Sequence, residues 1–130
     1  MHPRLERYVT RVYSLLSNHW LIVDRQVDFV DVGEGSARIK GRVIILDGSP
    51  LYLKEAVMMQ DDEPTKVDYS YQFRNEDEPG FFRYDSESHG RPQSYHHKHA
   101  YQRPIREIET APGLLDILKE IDSILTSEMT

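Results

Sequence analysis

Ala37-Arg38-Ile39-Lys40-Gly41-Arg42-Val43-Ile44-Ile45-Leu46-Asp47-Gly48-Ser49-Pro50-Leu51-Tyr52-Leu53-Lys54-Glu55-Ala56-Val57-Met58-Met59 is the stretch that decides the fold of this 130-residue chain. Ala37, Ile39, Gly41, Val43 and Ile45 alternate with Arg38, Lys40 and Arg42, the period of a strand with one covered and one open face. Asp47-Gly48-Ser49-Pro50 supplies hairpin-type turn residues, after which Leu51, Leu53, Glu55, Val57 and Met59 resume the alternation. The two segments are expected to pair antiparallel.

The same reading extends in both directions. Upstream, Val27 and Phe29 flank Asp28, and Gly33-Glu34-Gly35-Ser36 provides a turn into the central strand. Downstream, Asp61-Asp62-Glu63-Pro64 reads as a solvated loop leading into a fourth strand with Val67, Tyr69, Tyr71 and Phe73. Asn75 to Gly80 turns the chain again, and Phe81-Phe82-Arg83-Tyr84-Asp85 reads as a short fifth strand. Leu5, Tyr8, Val9, Val12, Leu15 and Leu16 fall three and four apart, predicting a helix from about Pro3 to Ser17. Thr110-Ala111-Pro112-Gly113 introduces a second helix, whose stripe is Leu114, Leu115, Ile117, Leu118, Ile121, Ile124 and Leu125. The expected architecture is a single α+β domain over residues 1–130: an antiparallel sheet of about five strands, with both helices on one face and the other face partly open. Ser86 to Pro104 shows no persistent period and carries four of the six histidines, so it reads as a functional loop.

The net charge of −6 argues against a uniform nucleic-acid-binding field. Charge is segregated, however. From Arg83 to Arg106 five basic residues (Arg83, Arg91, Lys98, Arg103, Arg106) face two acids (Asp85, Glu87), so this segment is basic within an otherwise acidic chain. Such a patch suits a local anion. The absence of cysteine excludes disulfides, thiolate nucleophiles and cysteine-ligated metals. No apolar run reaches the roughly 18 to 20 residues that a membrane span requires, and a cytoplasmic location is expected.

His89, His96, His97 and His99 offer proton acceptors and donors near neutral pH. Acid–base cleavage of a phosphodiester needs both, with a cation at the developing negative charge, a part suited to Arg83 or Lys98. Arg83 and Asp85 lie two apart on the fifth strand and so share a face, where Asp85 is placed to orient a guanidinium or an imidazole. Glu55 interrupts an apolar face and reads either as a paired buried acid or as a member of the site. Each feature has a plain structural alternative: a cross-strand ion pair, a buried acid, a histidine-rich loop without chemistry. His96-His97-Lys98-His99 also suits a metal site, although without cysteine or a second ligand pair that pattern is weak.

Tyr69-Ser70-Tyr71-Gln72-Phe73, Phe82-Arg83-Tyr84-Asp85, His89 and His96-His97-Lys98-His99, together with Asp47-Gly48-Ser49, Leu51 and Glu55, resemble in order the motifs of the TumE-like toxin family. Two departures are visible: Ser86 stands where that family's asparagine is usual, and Tyr95 where a proline is expected. The resemblance implies the toxin component of a type II toxin–antitoxin pair, a cognate antitoxin as partner, and RNA as substrate. The expected activity is then an endoribonuclease with no obligatory cofactor. Arg83 and Lys98 would hold the scissile phosphate, two of His89, His96, His97 and His99 would act as acid and base, and Asp85 would orient one imidazole. Two alternatives stand beside it. One is a nuclease dependent on a divalent metal held by Asp85, Glu55 and histidines; the other is a non-enzymatic partner-binding module. The sequence does not decide between monomer and homodimer.

Overall fold

Leu5, Val9, Val12 and Leu16 form the buried stripe of helix α1 (Pro3–Asn18), with Pro3 in its first turn. The His2 side chain caps this helix by accepting a hydrogen bond from the Arg4 amide at 3.1 Å. A computed structural model describes residues 1–74, 82–86, 96–100 and 103–129. In it α1 is followed by seven antiparallel strands and a closing helix, an α+β arrangement.

The strands are β1 (Ile22–Gly33), β2 (Ser36–Ile45), β3 (Pro50–Gln60), β4 (Glu63–Phe73), β5 (Phe82–Asp85), β6 (His96–Ala100) and β7 (Arg106–Ile108), followed by α2 (Leu114–Met129). They lie side by side in chain order. The sequence predicts about five strands, and seven are present among the described residues. The difference lies in the segment that reads as a loop, where His96–Ala100 pairs with β5 and Arg106–Ile108 pairs with β6. Four consecutive polar residues carry no hydropathy period, although the backbone beneath them is extended. The acidic loop is also corrected: Asp61 and Asp62 alone make the turn, at φ 51° and 63°, and Glu63 already begins β4. Aspartate tolerates this left-handed backbone better than most residues, so the acidic pair marks a tight hairpin. The expected turn from Asn75 to Gly80 lies outside the described residues, as does Phe81.

The cross-strand register sorts every side chain to a face. Leu53, Tyr71 and Tyr84 are directly opposite one another in successive strands, as are Leu51, Phe73 and Phe82. These rows meet the helices: Leu5, Val9 and Leu16 of α1 and Ile117, Leu118 and Ile121 of α2 are buried with them in one core. Both helices cover the same face, and burial of these apolar side chains supplies most of the stability.

Glu55 lies on this helix-covered face, buried between Tyr8 of α1 and Tyr71 of β4, both of whose phenols donate to its carboxylate. Lys66 completes the group by donating to the Pro112 carbonyl at 2.8 Å and to the Tyr71 hydroxyl. Burial, reinforced by the charge of Glu55, pushes the Tyr8 and Tyr71 phenols well above the ordinary tyrosine range. Burial pulls Lys66 down, opposed by Glu55 and Asp116. A folded-state phenol pKa above the unfolded value gives stability that is complete below about pH 10 and is lost as pH rises further. Each phenol then costs about 1.4 kcal/mol per pH unit above that point. Urea unfolding at pH 8 and pH 11 is expected to show this loss, and Tyr71→Phe to reduce the slope. An unchanged slope in Tyr71→Phe would mean that Tyr71 does not carry the effect.

Candidate functional site

β5 and β6 pair with Arg83 opposite His99 and Asp85 opposite His97. Alternation along an extended strand turns these four side chains to the face away from the helices, while Phe82, Tyr84 and Lys98 face α2. Asp85 is the hub. Arg83 Nε donates to Asp85 Oδ2 at 2.8 Å, His99 Nε2 lies 3.2 Å from the same oxygen, and His97 Nδ1 lies 3.5 Å from Oδ1.

His99 Nε2 also lies 3.3 Å from Arg83 Nη2. One ring nitrogen thus faces a donor and an acceptor. Arg83 can donate to it when it is unprotonated, and Asp85 can accept from it when it carries a proton. The two imidazoles are 6.2 Å apart between ring centroids.

Exposure differs sharply within the cluster. The Asp85 and His97 side chains are each 2 % exposed, against 14 % for His99 and 26 % for Arg83. A buried carboxylate therefore holds a cation and an imidazole that reach the surface. Ser86 closes this end of the sheet: its hydroxyl accepts from the Tyr69 amide at 3.0 Å and donates to Asp68, and its amide donates to the Tyr69 carbonyl at 3.3 Å. The residue that departs from the expected motif thus pins β4 to the strand that carries Arg83 and Asp85.

The other residues singled out in the sequence are placed differently. Lys98 lies on the helix face, 3.1 Å from Glu120 of α2, with its ammonium 5.1 Å from the Tyr84 ring centroid. Tyr84 donates to the same glutamate at 2.5 Å. His96 stacks on Tyr69 and lies 3.0 Å from its hydroxyl. Burial, with the charge of Asp85, raises the Tyr69 phenol above the ordinary range. Glu55 belongs to the buried group beneath α1. The structure therefore brings together Arg83, Asp85, His97 and His99, and directs Glu55, His96 and Lys98 to the opposite face. His89 lies outside the described residues, as does Tyr95.

Asp85 and Glu55, paired as metal ligands in one sequence reading, point to opposite faces, and among the described residues no group of three or more His, Asp or Glu side chains is arranged to hold a metal ion. Among those residues no helix is long and apolar enough to cross a membrane. The structure also adds residues that carry no signal in the sequence. Asp68 belongs to no motif, Ser86 appears in the sequence only as a departure from one, and Gln72, directly opposite Arg83, is legible only as a polar position inside an aromatic strand.

The family model of the toxin TumE matches residues 12–125, which takes in α1 from its middle, the whole sheet and most of α2. The chain belongs to the TumE toxin family. No curated protein and no solved structure matches it. Membership makes this a toxin component of a toxin–antitoxin system, with an antitoxin as its partner. In this TumE-family toxin the R-Y-D segment and the H-H-K-H run are adjacent strands, so Arg83, Asp85, His97 and His99, among the residues that carry the likeness, come together in the cluster.

Proposed function

We propose that this TumE-family toxin is a cytoplasmic endoribonuclease whose site is the Arg83–Asp85–His97–His99 cluster. The supporting observation is the shared carboxylate: Asp85 holds a guanidinium and two imidazoles on one strand pair. In this reading Arg83 binds a non-bridging oxygen of the scissile phosphate by charge-assisted hydrogen bonds. His99 accepts the proton of the ribose 2′-hydroxyl as its oxygen attacks phosphorus. Asp85 fixes both rings and stabilises the imidazolium that forms on His99; His97, buried beside it, acts through that carboxylate as a positioning residue, and solvent water protonates the departing 5′-oxygen.

The test is cleavage of RNA by the purified protein, with and without chelator, beside Arg83→Ala and His97→Ala. Activity that survives chelation and falls in both variants is the expected result. Equal activity in all three proteins would remove the assignment. Activity lost with chelator and restored by a divalent cation would transfer the chemistry to a metal-dependent site, and tight antitoxin binding with no turnover would leave a docking module.

A further inference from the structure

The face that carries the cluster continues from β1 to β6 as a row of directly opposed residues: Gln26 on β1, Arg42 on β2, Tyr52 on β3, Gln72 on β4, Arg83 on β5 and His99 on β6. The row has no acidic side chain and no aliphatic one. The Arg42 guanidinium lies 5.9 Å from the centroid of the Tyr52 ring, which is 41 % exposed. Beside it runs a second row in which Lys40 and Lys54 are opposed, and with Arg38 they line a depression of about 510 Å³ edged by Asp28 and Asp68. Among the described residues no acidic side chain forms an ion pair with Arg38, Lys40, Arg42 or Lys54.

We propose that Arg42, Tyr52 and Gln72 form a binding track for single-stranded RNA that leads the strand across the open sheet face into the Arg83–Asp85–His97–His99 cluster. The inference rests on the ribonuclease reading of that cluster. Three strand spacings separate Arg42 from Arg83, roughly 14 Å at the usual inter-strand distance, which is room for a few nucleotides. Cations at both ends meet phosphates, the tyrosine between them offers a ring for stacking, and the glutamine amide offers hydrogen bonds to a base or ribose edge. Stacking on Tyr52 requires an unpaired base, so the track selects single strands over duplex. On a chain of net charge −6 such a track also confines RNA to the one face where turnover occurs. Arg42, Tyr52 and Gln72 act as positioning residues for the reaction.

The experiment compares the wild-type chain, Arg42→Ala, Tyr52→Ala, Tyr52→Phe and the α2 surface variant Lys119→Ala. The probes are a 2′-O-methyl single-stranded oligonucleotide, which cannot undergo attack by its own 2′-oxygen, and the same sequence as a duplex. Tyr52→Ala is expected to weaken single-strand binding about tenfold and Tyr52→Phe to restore it, because the ring and not the hydroxyl does the stacking. Arg42→Ala is expected to flatten the slope of log affinity against log salt by about 0.7, the loss of one phosphate contact on a single strand. With cleavable RNA both alanine variants should raise KM more than they lower kcat. Wild-type binding and cleavage with all three track variants matching Lys119→Ala would overturn the track and leave the ribonuclease reading standing. Absence of cleavage by the wild type, with the oligonucleotide still bound through Arg42 and Tyr52, would overturn the catalytic reading and leave the binding face. Equal affinity for duplex, or weakened antitoxin binding in Arg42→Ala with oligonucleotide binding unchanged, would overturn the track.

Discussion

His99→Ala is expected to lower kcat/KM for single-stranded RNA by about two to four orders of magnitude, the usual contribution of a positioned general base. That loss corresponds to about 3–5 kcal/mol of transition-state stabilisation. The size follows from the placement of His99. It is the more exposed of the two imidazoles on Asp85, and its Nε2 faces both Asp85 and Arg83. The fold should tolerate the change, because His99 belongs to the open face and not to the core beneath α1 and α2. The pH–rate profile separates roles: the wild type should lose activity at low pH, where the base is protonated, and the variant should lose that dependence. A profile of unchanged shape and height in His99→Ala would assign proton abstraction elsewhere.

Glu55→Ala has the largest expected effect on stability, about 3–5 kcal/mol, the cost of breaking a buried charged network by removing one partner. The Tyr8 and Tyr71 hydroxyls would lose their acceptor, and Lys66 would lose the negative charge that opposes its desolvation. Glu55→Gln keeps the shape and an acceptor oxygen, so it should destabilise less and remain folded at assay temperature. Because Glu55 and the cluster point to opposite faces, Glu55→Gln should cleave RNA at the wild-type rate per folded molecule. Normal unfolding free energy with abolished cleavage would reverse both conclusions and return Glu55 to the site. Denaturant titration alongside activity decides the matter.

Much of this is legible in the sequence, and the parts that are not have physical reasons. Helical spacing marks α1 and α2 closely, and alternation marks β2 and β3, because each buries one stripe and wets the other. Glu55 shares parity with Leu51, Leu53 and Val57, so its face can be read from β3 alone. Its relation to Arg83 cannot. That depends on how β4 pairs with both β3 and β5, with Glu55 opposite Tyr69 and Gln72 opposite Arg83, which no local pattern sets. β6 is hidden because hydropathy does not distinguish His96 and Lys98 from His97 and His99. One pair sets a ring against Tyr69 and an ammonium over Tyr84 and Phe82, and the other pair gathers around a carboxylate. Lys98, a cation in a basic segment, reads from the sequence as a phosphate ligand. Glu120 claims it instead, through a contact between β6 and α2 that no local pattern announces.

The strict alternation of β5 has a consequence for how this toxin can change over time. Phe82 and Tyr84 fill the interior while Arg83 and Asp85 serve the opposite surface, so adding or deleting one residue would exchange the two sets together. Hydrophobic rings would be cast into water and charged groups driven under α2 in a single event. Length variants within this strand should therefore be lost as misfolded protein before any altered specificity could be selected, whereas point changes on the open surface remain free to retune it.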